Sequence, residues 1–155
     1  MLLAPVWIPL AVLVAVLAVI VYPFTRARLW MLRRAFRKKW GPAGRDILLI
    51  YSNSPNWQEY IEQNWLPHLD DRTVLLNWSE RAQWREKHPL EAKLLRAYLG
   101  DREFNPAAVY IPDRGRVRVI RFWQAFRDFK HGREALLRRQ EATLFTLIDR
   151  TRAAA

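Results

Sequence analysis

The stretch DILLIYSNSPNW, residues 46–57, decides the fold. Its first half, Asp46 to Tyr51, is a short apolar run with the pattern of a strand buried on both faces. Ser54 and Pro55 then predict a helix start, with Ser54 as the N-cap and Pro55 at the first helical position, where a missing N–H costs nothing. Trp57, Tyr60, Ile61 and Trp65 keep helical spacing as far as Pro67. A strand passing through a tight corner into a helix is the opening unit of an α/β domain.

Working outward, Thr73 to Asn77 (TVLLN) is a second buried strand. A helical stretch interrupted at His88-Pro89 follows, with Leu90, Leu94, Leu95 and Tyr98 on one face and Gly100 as its stop. After Asn105-Pro106, the runs Ala107–Ile111 and Val117–Trp123 flank Pro112-Asp113-Arg114-Gly115 and read as an antiparallel hairpin. Gly132 precedes a last helix, Arg133 to Arg150, with Leu136, Leu137, Leu144, Leu147 and Ile148 on its apolar side. The order strand, helix, strand, helix, hairpin, helix predicts one α/β domain over residues 46–150. Its expected core is a four-stranded mixed sheet with helices on both faces, the first two strands being parallel neighbours. Residues 151–155 are expected to be a disordered tail.

Upstream, Leu2 to Phe24 carries no charge and reads LLAPVWIPLAVLVAVLAVIVYPF. About 20 apolar residues cross a hydrocarbon core of about 30 Å, so residues 1–25 are expected to be a single transmembrane helix, with Pro23 marking its exit. A cleaved signal peptide would need a basic leading region and a small-residue cleavage site, which this stretch does not present. The 155-residue chain has a formal charge of +11, unevenly spread. Eight of its 26 Lys and Arg lie between Arg26 and Arg45 with no acid among them, and the other 18 face all 15 acids, a net of +3. That basic collar places the domain in the cytoplasm and the N-terminus outside, in an inner membrane. Within the collar, residues 26–45, Leu29, Leu32, Phe36 and Trp40 recur at helical spacing. Two readings stand: a basic amphipathic helix on anionic headgroups, held through Arg26, Arg28, Arg33, Arg34, Arg37, Lys38 and Lys39, or a continuation of the span whose stripe packs on protein. Nucleic acid is not an expected partner, since the excess charge sits beside the apolar run.

The domain resembles the thioredoxin-like superfamily. The resemblance covers Asp46 to Arg150 and rests on the element order, on Ser54-Pro55-Asn56-Trp57 at the position of the family's C-x-x-C motif, and on Pro106 at the place of its cis-proline ahead of the third strand. The chain contains no cysteine. Thiol–disulfide exchange is therefore excluded, as are thiolate metal sites and disulfides. A glutathione-binding branch of the same superfamily activates its ligand's thiol with a Ser or Tyr hydroxyl near that helix start, which by position implies Ser54, Ser52 or Tyr51. The acid and serine which that branch uses after its last strand are missing from Trp123-Gln124-Ala125-Phe126.

No other catalytic constellation emerges. His68, His88 and His131 fall in no metal-binding spacing, the glycines never cluster into a phosphate loop, and no cofactor or metal is expected. What stands out is RVRVIRFWQAFRDFK, residues 116–130, which interleaves arginine with apolar and aromatic residues. Arg118, Arg121, Phe122, Trp123, Phe126, Arg127 and Phe129, joined by Trp57, Trp78 and Trp84, have the composition of a protein–protein interface. The resulting expectation is a non-catalytic accessory or scaffold subunit of an integral membrane complex, of the kind common in photosynthetic and respiratory assemblies. A glutathione-transferase-like enzyme using Ser54 and a transient assembly factor are the alternatives.

Overall fold

The computed structural model describes residues 4–100 and 105–152. Its first element, α1, runs without interruption from Ala4 to Trp40. At 1.5 Å per residue these 37 residues reach about 55 Å. Every described side chain from Trp7 to Arg28 is exposed, and the helix is long and apolar enough to cross a membrane. Pro23 lies inside this helix and does not end it, contrary to expectation. The helix stops at Gly41-Pro42-Ala43, a single 3-10 turn closed by Gly44, whose φ of 72° is left-handed and whose N–H donates to Gly41 O. A side chain at Gly44 would be strained there.

That turn folds the chain back into the sheet. Strands β1 (Ile47–Tyr51) and β2 (Thr73–Asn77) pair in parallel, from Ile47↔Thr73 to Tyr51↔Asn77. Strand β3 (Ala107–Tyr110) runs antiparallel to β1, and β4 (Arg118–Arg121) antiparallel to β3. The sheet is thus mixed, in the order β2-β1-β3-β4, with β1 inside and buried throughout. Between β1 and β2 lie α2 (Gln58–Asn64) and α3 (Leu66–Leu69). After β2 come α4 (Trp84–Lys87) and α5 (Pro89–Leu99), and after β4 come α6 (Trp123–Lys130) and α7 (Ala135–Arg152). The hairpin strands are shorter than predicted. Chain expected to stay extended to Trp123 turns at Phe122, whose N–H donates to Pro106 O, and enters α6. Helix α7 continues to Arg152, so the expected tail from 151 is helical at its start; residues 153–155 lie outside the described ones.

Alternation along β1 sends side chains to two cores. On one face Ile47, Leu49 and Tyr51 meet Ile61, Trp65 and Leu69 of the first crossover, Phe122 and Phe126, and Leu137, Leu144 and Ile148 of α7. On the other, Leu48 and Ile50, with Val74, Leu76 and Val109, meet Leu94, Leu95 and Leu99 of α5. The second core also contains Phe36 of α1, with no exposed surface, and Leu32 and Trp40 pack against it. The collar is therefore not a separate segment but the continuation of α1. Its stripe completes the domain, whose packing begins about fifteen residues before Asp46.

Buried carboxylates fasten these layers. Glu91 of α5, fully buried, accepts from Lys39 Nζ at 2.8 Å and Trp40 Nε1 at 2.6 Å, which ties α1 to α5. Burial pushes its carboxyl up, but the Lys39 ammonium, its own backbone N–H and the Trp40 indole outweigh that and hold the pKa below the usual value. Glu141 of α7 accepts from Trp65 Nε1 and Tyr60 Oη, each at 2.7 Å, across to α2 and the turn after it. Asp46 is paired with Arg72, which also donates to Ile148 O at 2.8 Å.

Candidate functional site

The carboxyl ends of β1 and β2 open onto the corner where the sequence places its candidate hydroxyls. Ser52, the first residue past β1, is buried. Its Oγ donates to Asn105 Oδ1 at 2.9 Å and accepts from Trp57 Nε1 at 3.2 Å. Asn105 is also buried and is joined to Pro106 by a cis peptide. Beside this pair, Asn77 Nδ2 donates to Asn53 Oδ1 at 2.8 Å, while Asn77 Oδ1 caps the next helical turn by accepting from Ser79 N–H at 3.0 Å. Ser79 Oγ in turn accepts from Asn53 N–H, and Trp84 Nε1 donates to Asn77 O at 3.0 Å. The corner is a lattice of neutral amides, hydroxyls and indoles that stitches three strand ends and two crossovers together.

Two of the three candidate hydroxyls already donate their proton inside the fold. That of Ser52 is given to Asn105. Tyr51 Oη lies 3.4 Å from Glu62 Oε1, and burial, then Glu62, pushes its pKa up. Ser54 does not cap α2 as expected, because the helix begins four residues later at Gln58, after a turn in which Trp57 and Gln58 N–H donate to Ser54 O. Its half-buried Oγ sits 3.4 Å from Asn56 N and 3.3 Å from Asn56 Nδ2, an acceptor in that turn. The Ser-Pro signature is shared by helix starts and free turns, and here the turn takes it. His68, His88 and His131 lie on three different parts of the chain, on α3, between α4 and α5, and after α6. No group of three or more His, Asp or Glu able to hold a metal occurs among the described residues.

The expected aromatic surface divides. Phe122, Phe126 and Trp84 are core residues, at 0%, 2% and 7% exposure, and are corrected accordingly. Trp65 takes both phenylalanines as ring partners, at centroid distances of 4.4 and 5.6 Å. Trp57 and Phe129 are half-buried against the same core, and Trp78 stands edge-on to Trp84 at 5.5 Å. What stays outside is Trp123, 44% exposed at the start of α6, with the Arg127 guanidinium over its ring at 4.8 Å. Arg118 and Arg121 are exposed on β4, an edge strand, and alternation sends them to opposite faces of the sheet.

The basic residues assigned to headgroups divide as well. Arg33 donates to the carbonyl oxygens of Pro112, Asp113 and Gly115 at 2.7–2.8 Å, Arg37 pairs with Asp113, and Lys39 with Glu91. Arg26 and Arg34 lie over the rings of Tyr22 and Trp30, and Arg28 and Lys38 are exposed. Compared with known families, curated proteins and solved structures, the chain matches none of them.

Sequence reasoning passed over the amide lattice (Asn53, Asn77 and Asn105) and the carboxylates Glu91 and Glu141. For the two acids a signal was present. Glu141 falls in the apolar series Leu137, Leu144, Ile148, and Glu91 precedes Leu94 and Leu95 by one turn. An acid on an apolar helix stripe must find donors there.

Proposed function

We propose that the protein is a non-catalytic, membrane-anchored accessory or scaffold subunit of a larger membrane protein complex, its thioredoxin-like domain on the cytoplasmic side. The observation that carries this reading is α1. One helix exposes an apolar surface from Trp7 to Phe24 and, without a break, sends Phe36 into the domain core. An uncovered apolar surface of that size needs lipid or protein around it. The basic residues from Arg26 onward favour a cytoplasmic domain. The element order and the place of Pro106 ahead of β3 support the thioredoxin-like reading. At the family's reactive corner stand Ser54 and Trp57, among hydroxyls and indoles already engaged in holding strand ends together. Trp123 and Arg127 on α6, with Arg118 of β4 on the same side of the sheet, are the surface offered to a partner.

Solubilising native membranes in mild detergent tests this. A complex of fixed stoichiometry is expected, and Trp123→Ala combined with Arg127→Ala should release the subunit from it. A monodisperse free monomer from native membranes overturns the proposal, and a sub-stoichiometric association would make the protein an assembly factor. Millimolar glutathione is expected to leave the melting temperature unchanged. A shift that Ser54→Ala abolishes would put a glutathione-transferase-like enzyme in its place.

A further inference from the structure

A groove of about 750 Å³ opens between α1 and the β3–β4 loop, where the uncharged part of α1 ends. Arg26, Leu29, Trp30 and Arg33 line it from the helix, at spacings that put them on one side. Arg116 and Val117 line it from the loop, and Tyr98 closes its floor from α5. A second hollow of about 450 Å³ shares Trp30 and Arg33 and adds Arg34, Arg37 and Arg114. Together the two hollows present six arginines and one carboxylate, Asp113, which Arg37 already neutralises.

The groove is held in shape by the protein. Arg33 spends its donors on three loop carbonyls and so pins the loop to the helix. Arg26, whose guanidinium lies over the Tyr22 ring, and Arg116 are exposed on its two walls and form no ion pair among the described residues. Tyr98 lines the groove and is half-buried, and burial pushes its pKa up, so its hydroxyl stays protonated. An arginine fork on each wall, a phenol below and apolar Leu29, Trp30 and Val117 between them suit one chemistry: a phosphodiester monoanion attached to an apolar body. The level of the groove along α1 selects its source. Arg26 is the first charge after the apolar run, so the groove stands where headgroups of a bilayer spanned by α1 would lie.

We infer that this groove is a binding site for the headgroup of an anionic phospholipid, with Arg26 and Arg116 as the phosphate-contacting residues and Arg33 as the residue that positions the loop. The inference rests on the membrane reading of α1 and adds to it a specific site, with a loop arginine that lies outside the collar.

The test uses the full chain reconstituted in vesicles of phosphatidylcholine alone or with phosphatidylglycerol. Flotation with pure phosphatidylcholine vesicles after an alkaline carbonate wash reports the span. Retention of phosphatidylglycerol over phosphatidylcholine, counted by native mass spectrometry from detergent, reports the groove. The wild type should float in both and retain phosphatidylglycerol preferentially. Each of Arg26→Gln and Arg116→Gln should lower that preference about five-fold, and the double variant about thirty-fold. Arg139→Gln, on the exposed side of α7, should leave it unchanged, and all variants should keep the wild-type melting temperature. Flotation with equal retention of the two lipids, or a preference that the double variant keeps, overturns the site and leaves the span standing. Failure to float overturns the span. Inorganic phosphate displacing the lipid at equal concentration overturns a lipid as the occupant.

Discussion

The two faces of the sheet are roofed differently. One is closed by α2, α3, α6 and α7, all connected through the domain's own strands. The other is closed by α4, α5 and the last three turns of α1, a helix whose described side chains from Trp7 to Arg28 are exposed. The contrast shows that the long apolar helix and the domain share a core: Phe36 is as buried as Phe122. The short Gly41–Gly44 stretch, which has the composition of a linker, is the corner that lays one against the other.

Truncation breaks this comparison most forcefully. A chain starting at Leu29 should unfold cooperatively, whereas one starting at Arg45 should lose its thermal transition. Losing Leu32, Phe36 and Trp40 removes about 6 kcal/mol of burial, against a total stability of about 5–15 kcal/mol for a domain. Matching midpoints for the two chains would show that α1 is not part of the core. Next in size, Phe36→Ala and Phe126→Ala should each cost about 3–5 kcal/mol in denaturant unfolding. Only Phe36→Ala should also speed hydrogen exchange in the last turns of α1.

The carboxylates sharpen the contrast at opposite ends of the pH scale. Glu91→Gln and Glu141→Gln should each cost about 1–3 kcal/mol, since Trp40 and Trp65 would keep only a neutral acceptor. Glu91 has a folded pKa below its unfolded value, so its contribution is full above about pH 4.3 and is lost as pH falls through the folded value. Tyr60 is pushed up to about 12 by burial and by Glu141. Its contribution is full below about pH 10 and is lost as pH rises through 12. Acid should therefore loosen the α1 face first and alkali the α7 face, which ring resonances of Trp40 and Trp65 would separate. The smallest effect on stability belongs to Trp123→Ala, within about 0.5 kcal/mol, read as a melting temperature near the wild-type value.

Much of this architecture was legible. DILLIY and TVLLN are strands in register, the hairpin surrounds Pro112–Gly115, and α1 is an unbroken apolar run at its start. What stayed hidden is which surface each pattern meets. Leu29, Leu32, Phe36 and Trp40 define a stripe, but lipid and protein both accept an apolar stripe, and only the chain reversal at Gly44 brings the sheet beneath it. Phe122 and Phe126 carry the same aromatic signal as a partner surface. Their depth depends on where β4 stops: Phe122 still bonds Pro106 across the hairpin, and α6 starts at the next residue. Ser54 signals a cap that the structure spends on a turn. The amide lattice around Ser52 is built from residues far apart in sequence, so no local pattern announces it.

The continuity of α1 through Pro23 has a mechanical meaning. A domain tethered by a loose chain samples every pose within reach, whereas one grown onto the end of a stiff rod inherits the rod's tilt and roll. With Phe36 in the core and Glu91 gripping Lys39 and Trp40, the domain has no swivel, and its bearing is dictated by whatever surrounds the exposed part of α1. A neighbour that leans on that helix steers the face bearing Trp123 as a hand on a tiller steers a rudder.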